Sequence, residues 1–466
     1  MSSGSFPRIL IAAPFSNSGK TTLTLAIIAV LKRLGEQVEA YKCGPDYIDT
    51  AYHSFVSGSP AQNLDSYLNA PQAIASLLMQ ESFLEKTAVI EGVMGLFDGL
   101  GTGERASSAE IAKLTQTPVI LVIPAQGMSR SVLALIEGFK NFDPELNLAG
   151  IIFSDIKSES HLRLLESLVA ELKGLEYLGY LKHDEKLKLP SRQLGLTQVQ
   201  EIEDIEEKLD YLALKAEESL DIQKIITLSK GAPKLEYKSL SESLAPYKSA
   251  RRVKIGIIKD AAFNFYYNSS LRTLSFLGAD LVECSFLEDS KLPEDISALY
   301  IGGGFPEEFA ARLEKNESMI SSVKDAASSG MPIYAECGGY LYLCKSLTNK
   351  AGVSFELAAV FDSLSARLQD KKSPHFGYVS FEALDDTFLF KAGEIYRAHE
   401  FHHAQITGEK EVFAFSKLSN HLSWKAGACY KNTVASFAHI DFYAYPKLAQ
   451  RFIQKACEYQ DERSNH

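Results

Sequence analysis

The run "RILIAA" (8–13) passes directly into "PFSNSGKTTLTLAIIAVLKRLG" (14–35), and this junction limits the fold more than any other feature. The first run is short, β-rich and apolar throughout. The second opens on small polar residues and then repeats apolar residues at helical spacing. Strand, loop and helix follow one another without a gap. Three more apolar runs have the same character: "AVIEGV" (88–93), "PVILVI" (118–123) and "LAGIIF" (148–153). Continuous apolar runs suit strands buried on both faces of a parallel sheet. "SVLALIEGFKNF" (131–142) reads as another helix. Strand–helix alternation of this kind predicts a doubly wound α/β domain.

The chain of 466 residues has room for two or three such domains. Its character changes over 226–252, a polar stretch with Gly231, Pro233 and Pro246 and no sustained apolar period, which reads as a linker. A second α/β pattern then begins with "VKIGIIKD" (253–260) and continues through "ALYIGGG" (298–304), a helix near 306–329 and "PIYAECGG" (332–339). The expected organisation is 1–225, linker 226–252, and 253–466.

Hydrophobic residues make up 46% and charged residues 23%, which excludes a largely disordered chain. No apolar run reaches the ~18 residues of a membrane span, and the start lacks a signal-peptide pattern. The net charge of -11 argues against nonspecific binding to nucleic acid or an anionic membrane. Six scattered cysteines without a CxxC pair point to free thiols in a reducing compartment, hence a cytoplasmic protein. His399, His402 and His403 show no metal-ligand spacing, and no chemistry is assigned to them.

"SGKTT" (18–22) matches the end of a P-loop in the right strand–loop–helix context, although Pro14 stands where the first glycine is usual. The bland reading is a capped helix with a surface lysine. The P-loop reading has a definite physical basis. Backbone N–H groups of Ser18, Gly19 and Thr22 face a phosphate, Lys20 reaches the β/γ-phosphates, and the Thr21 hydroxyl ligates Mg²⁺. Carboxylates should complete an ATP–Mg²⁺ site. Glu91 ends a strand, Asp98 lies on the Gly-rich loop after it, and Asp46 and Asp49 follow another strand. Ligands of open α/β sheets bind at those strand ends.

A second candidate site centres on Cys337, in "AECGGY" (335–340). Strand, sharp turn carrying the nucleophile, then helix is an elbow. It predicts an exposed sulfur whose pKa is lowered by the helix N–H groups of "YLYLCKSL". Backbone N–H groups of Gly303 and Gly338 are the candidate oxyanion donors. His439, in "ASFAHID" (435–441), is the candidate base.

Together these residues resemble the cobyrinate a,c-diamide synthases, along nearly the whole chain. The resemblance is carried by "KCGPDYID", "EGVMGLFDG", "LPSRQLGL" (189–196), "DAAFNFYY" (260–267), "GGGFPEE", "AECGGYLYL" and "HEFHH" (399–403), in that order. It implies a P-loop, dethiobiotin-synthetase-like amidoligase domain joined to a flavodoxin-like class I glutamine amidotransferase domain. It implies a γ-glutamyl thioester on Cys337, with His439 as base and then acid. It also implies Lys20 and Thr21 on ATP–Mg²⁺, Asp46 and Glu91 as metal ligands, and Asp49 and Asp98 near an acyl phosphate. The implied partners are L-glutamine and a tetrapyrrole whose a and c acetates are amidated, with a homodimer left open.

Two departures stand out. Gln193 replaces the histidine usual in the family, and Asp441 stands two residues after His439, where class I amidotransferases carry glutamate. Hydrogenobyrinic acid and nickel-sirohydrochlorin remain alternative substrates. A different class, an ATP-driven switch protein of the partitioning type, is disfavoured because Pro14 stands where those proteins carry their signature lysine.

Overall fold

The computed structural model describes residues 2–79, 86–187, 191–192, 195–196, 202, 204–370, 373, 375–408 and 411–464. Gln193 lies outside them. The chain divides into two compact units, Met1–Leu240 and Ser241–His466.

The first unit is built on seven strands. In spatial order they are Gln62–Leu64, Val38–Cys43, Thr87–Glu91, Arg8–Ala12, Val119–Pro124, Leu148–Ile156 and Glu176–Lys182. Every neighbouring pair is parallel. Arg8–Ala12 is central and buried along its whole length, as its unbroken apolar run predicts. Lys20–Arg33 is the helix that follows, and it buries Leu23, Leu25, Ile27 and Ile28. Each such side chain contributes roughly 1.5–3 kcal/mol relative to exposure. Ser131–Phe142 is the second expected helix. Parallel strands bring the ends at Ala12, Cys43 and Glu91 to one edge, and the loops there carry the candidate ATP site.

The stretch 226–252 holds regular structure where the sequence suggested a linker. The helix Ile222–Lys230 runs into it, Leu235–Tyr237 pairs antiparallel with Ser2–Gly4, and Leu240–Leu244 is helical. The buried Arg8 guanidinium donates to the Pro233 carbonyl at 2.6 Å. Leu235 and Tyr237 are buried while Glu236 faces out, an alternation too short to register as a period.

The second unit has a six-stranded sheet in the order Ala279–Cys284, Val253–Ile258, Ala298–Ile301, Ile333–Glu336, Thr433–Ser436, Ala428–Tyr430. The first five are parallel and the last is antiparallel. A separate five-stranded sheet pairs Ile395–Glu400 with Ala438–His439. The helix expected near 306–329 is two helices, Ala310–Lys315 and Glu317–Ser328. Asn316 separates them, and its side chain caps the second by accepting from the Met319 N–H. The helix after Cys337 ends at Leu343, because Cys344–Thr348 pairs as a strand with Phe361–Leu368.

Candidate active sites

Gly19 has φ +84, a left-handed conformation that glycine adopts without strain, and it starts the helix Lys20–Arg33. No side chain among the described residues caps that helix, so its first N–H groups remain available to an anion. Ser18 is fixed on both sides: its hydroxyl donates to Phe15 O at 2.8 Å, and its carbonyl accepts from Ser154 Oγ at 2.9 Å. Lys20 Nζ donates to Met94 O at 2.5 Å and to Phe15 O at 3.2 Å. Burial, with a smaller effect from Lys42, lowers the Lys20 ammonium to about 8, against the pull of Glu91, Asp49 and Asp98. Thr22 lies in the first turn, partly buried.

Glu91 is the hub. It is fully buried, and Thr21 Oγ1 donates to its Oε1 at 2.6 Å. Lys42 Nζ reaches the same oxygen at 2.7 Å and Asp49 Oδ2 at 2.6 Å. His53 Nε2 lies 2.6 Å from Glu91 Oε2. Burial alone would raise the Glu91 carboxyl, but Lys42 and His53 outweigh it and hold the group ionised, well below its usual range. Burial would likewise lower Lys42, yet Asp49 and Glu91 keep it protonated. Asp49 is pushed up to about 7, by burial first and by Asp46 second. Asp46 Oδ1 accepts from the Asp49 N–H at 2.7 Å, at the start of the helix Ile48–Ser57. Asp98 is exposed and accepts from the Gly95 N–H at 2.9 Å. A Cβ on Gly95 would come within 2.6 Å of Pro14 O, so the two loops approach too closely for any other residue.

The structure therefore joins Lys20, Thr21, Asp46, Asp49 and Glu91 in one constellation, with Asp98 on the loop beside it. It adds two residues that the sequence reading passed over. Lys42 is a lysine inside a wholly buried strand, and such a cation needs acidic partners. His53 lies four residues after Asp49, on the same helical face. Both were signals present in the sequence.

In the second unit, Cys337 has φ 48 and ψ -102, a strained conformation for a non-glycine residue. It joins the strand Ile333–Glu336 to the helix Gly338–Leu343, which is the elbow. The sulfur, however, is not exposed: Cys337 is 4% accessible. Burial, then Glu307 and Glu400, push its thiol well above the ordinary cysteine range, and the Gly338 N–H offsets only part of this. The expected lowering by the helix N-terminus is thus outweighed. The Cys337 N–H donates to Ser436 O at 2.9 Å, so the elbow sits beside the strand that leads to His439.

The glycines have steric roles. A Cβ on Gly303 would lie 2.5 Å from His439 Cε1, and one on Gly338 would lie 2.9 Å from Gly304 N. Tyr266 accepts from the Gly302 N–H at 2.8 Å and holds that loop. His439 is fully buried, with Nδ1 3.5 Å from Glu336 Oε2. His399 pairs with His439 across the strands and is kept neutral, lowered to about 3 by burial and then by His439. The Asp441 carboxylate accepts from Ser270 Oγ at 3.2 Å and from the Tyr443 N–H at 3.0 Å. His402 Nε2 lies 3.0 Å from Glu400, and its Nδ1 lies 2.8 Å from Ala404 O.

A nucleotide cradle on one parallel sheet and a cysteine elbow on another define an amidating ligase that carries its own glutamine amidotransferase unit. Residues 9–196 match the CobQ/CobB/MinD/ParA nucleotide binding domain, and residues 254–446 match the CobB/CobQ-like glutamine amidotransferase domain. Curated relatives named cobyrinate a,c-diamide synthase align end to end. The one from Caldanaerobacter subterraneus subsp. tengcongensis is 40% identical over 97% of this chain and 98% of its own. The one from Listeria monocytogenes serovar 1/2a is 42% identical over 94% and 96%, and that from Dehalococcoides mccartyi strain CBDB1 is 36% identical over 96% and 98%. The chain belongs to the cobyrinate a,c-diamide synthase family. The match spans both units, which sets aside the switch-protein reading.

Proposed function

We propose that this chain amidates the a and c acetate carboxylates of cobyrinic acid, using ATP and glutamine. The observation that carries the reading is the Lys20–Thr21–Glu91–Lys42–Asp49 constellation in a chain that also holds a cysteine elbow beside the strand leading to His439. Full-length similarity to synthases of that name supports the substrate.

A carboxylate is a poor electrophile. Transfer of the γ-phosphoryl group to a carboxylate oxygen gives an acyl phosphate and ADP. Ammonia then attacks the carbonyl carbon, and inorganic phosphate leaves. Such transfer needs charge neutralisation and in-line placement. Lys20 and the backbone N–H groups of Ser18, Gly19 and Thr22 bind the phosphates. Asp49 and Asp98 orient the acetate. The Thr21 hydroxyl and the Glu91 and Asp46 oxygens are hard ligands of the kind Mg²⁺ takes, and the 2.6 Å Thr21–Glu91 contact already brings two of them together. Mg²⁺ held there would neutralise phosphate charge.

Because burial keeps the Cys337 sulfur protonated, His439 must take its proton as the sulfur attacks the glutamine carboxamide. The Gly303 and Gly338 N–H groups receive the oxyanion. His439 then gives that proton to the departing amide nitrogen, which leaves as ammonia, and water hydrolyses the thioester to glutamate. Ammonia is mostly protonated at neutral pH, so release inside the enzyme keeps it nucleophilic.

The test is product mass with cobyrinic acid, hydrogenobyrinic acid and nickel-sirohydrochlorin in parallel, with glutamine or with ammonia. Cobyrinic acid should gain two amides. Cys337→Ala should work with ammonia alone. Amidation of another tetrapyrrole in preference to cobyrinic acid would overturn the substrate assignment, and glutamine use by Cys337→Ala would overturn the nucleophile.

A further inference from the structure

We infer that Glu336, the residue immediately before the nucleophile, is the carboxylate that positions the His439 imidazole. Asp441, the residue two after His439, does not fill that role. The inference rests on the reading of His439 as the base of the glutaminase.

Glu336 is 1% exposed and His439 is fully buried, so the two face each other away from water. Glu336 Oε2 lies 3.5 Å from His439 Nδ1. That is long for a hydrogen bond and short for a charge interaction in a low-dielectric site. Catalytic contacts of this kind shorten when substrate binds. The carboxylate cannot wander. Oε1 accepts from Tyr334 Oη at 2.7 Å and from the Ile440 N–H at 3.1 Å, and Oε2 accepts from Tyr300 Oη at 2.9 Å. Both phenols are pushed well above their ordinary range, by burial first and by Glu336 itself, so they remain donors.

One of these contacts ties the carboxylate to the base, and the chain itself ties it to the nucleophile. The Ile440 N–H belongs to the residue after His439, and Glu336 is bonded in sequence to Cys337. One rigid side chain therefore sets the distance between elbow and imidazole. A carboxylate on the Nδ1 side favours the tautomer that carries its proton on Nδ1, which leaves Nε2 as the basic nitrogen. The Gly303 Cβ position lies 3.3 Å from that Nε2, so the base edge faces the loop of the expected oxyanion donor. Asp441 Oδ1, by contrast, is engaged by Ser270 Oγ and the Tyr443 N–H, as a local turn residue is.

The experiment measures glutamate release from glutamine against pH for the full chain and for Glu336→Gln, Glu336→Asp, Asp441→Asn and His439→Ala. Glu336→Gln should lower kcat by about a hundredfold or more, since it removes the charge that stabilises the imidazolium. The acid limb of its kcat/KM profile should move to lower pH, because an imidazole without its carboxylate is less basic. A merely structural loss would leave that limb in place. Glu336→Asp should restore part of the rate and the original pH limb, and it keeps the test open if Glu336→Gln unfolds. Asp441→Asn should stay within about threefold of the parent. Unchanged rate and pH limb in Glu336→Gln would overturn the inference, and so would an equal loss in Asp441→Asn. Glutaminase activity in His439→Ala would overturn the reading of the base, and the inference with it, as a separately visible result.

Discussion

Lys42→Met is the sharpest probe of the first site. Lys42 Nζ lies within 2.7 Å of Glu91 and 2.6 Å of Asp49, and the side chains of Lys42, Glu91 and Asp49 are 6%, 0% and 15% exposed. Removing one partner of a buried pair leaves uncompensated charge and costs about 3–5 kcal/mol. A unit of this size loses about 2–4 °C in Tm per kcal/mol, so the first unit should melt about 6–20 °C lower. The sign of the pH dependence follows. Without the cation, the folded pKa of Glu91 rises above the unfolded value near 4, and that of Asp49, already about 7, rises further. A carboxyl raised in the folded state destabilises it once the pH exceeds the unfolded value. The Lys42→Met deficit should therefore be smallest near pH 4–5 and grow toward pH 8. The double variant Lys42→Met/Glu91→Gln removes the stranded charge and should recover a large part of the loss. The assay is thermal unfolding of Lys42→Met, Glu91→Gln and the double variant across pH. A deficit under about 1 kcal/mol, or a double variant whose loss is the sum of the single losses, would refute the account of a charge-balanced hub.

Three other outcomes follow from the same geometry. Lys20 titrates at about 8 in the free enzyme, and ATP takes its charged form, so ATP affinity should be flat below pH 8 and weaken up to tenfold per unit above it, as titration calorimetry would read. Gly303→Ala should abolish glutamine-dependent amidation while ammonia still works, because the new methyl would sit 2.5 Å from His439 Cε1; normal glutamine use would show that the imidazole moves aside. Cys337→Gly and Cys337→Ala should both lose glutaminase activity, with the glycine variant the more stable by up to about 2 kcal/mol, since glycine relieves a φ of 48 that alanine keeps.

The apolar runs made the strands of both parallel sheets legible, because burial on both faces leaves a continuous signal. The junction at Gly19 was legible for a related reason: Gly-Lys-Thr after such a run has few other uses. What escaped was decided by distant contacts. Leu235–Tyr237 reads as linker until Ser2–Gly4 is beside it. "CKSLT" continues a helical pattern until Phe361–Leu368 offers a partner strand. Lys42 and His53 were visible as odd residues in apolar company, but their common partner Glu91 is 49 and 38 positions away. Asp441 stands where the family resemblance expects a glutamate beside the imidazole, whereas the fold brings Glu336 to within 3.5 Å of His439 from the strand paired with Thr433–Ser436. The thiol's pKa is raised rather than lowered because helix N–H groups are local and readable, while the burial that overrides them is tertiary.

The two sites use one backbone device with opposite electrostatics. Each has a buried parallel strand, a residue at positive φ and a helix that starts at once: Gly19 at 84 before Lys20–Arg33, and Cys337 at 48 before Gly338–Leu343. At the first, glycine relieves the turn of strain, and the product is a cradle of N–H groups for an anion already charged in solution. At the second, the turn holds a side chain whose charged form the site disfavours. The cost of order 1–3 kcal/mol for a strained non-glycine residue is tolerated because a sulfur must stand there. A thiol kept protonated does not react with water-borne electrophiles at rest. It becomes nucleophilic only when a base in reach can accept its proton, and that base is effective only with its imidazolium stabilised. Reactivity then depends on the Glu336–His439 contact rather than on the standing acidity of Cys337. Such a thiol should resist alkylation by small reagents until a glutamine-like group occupies the site.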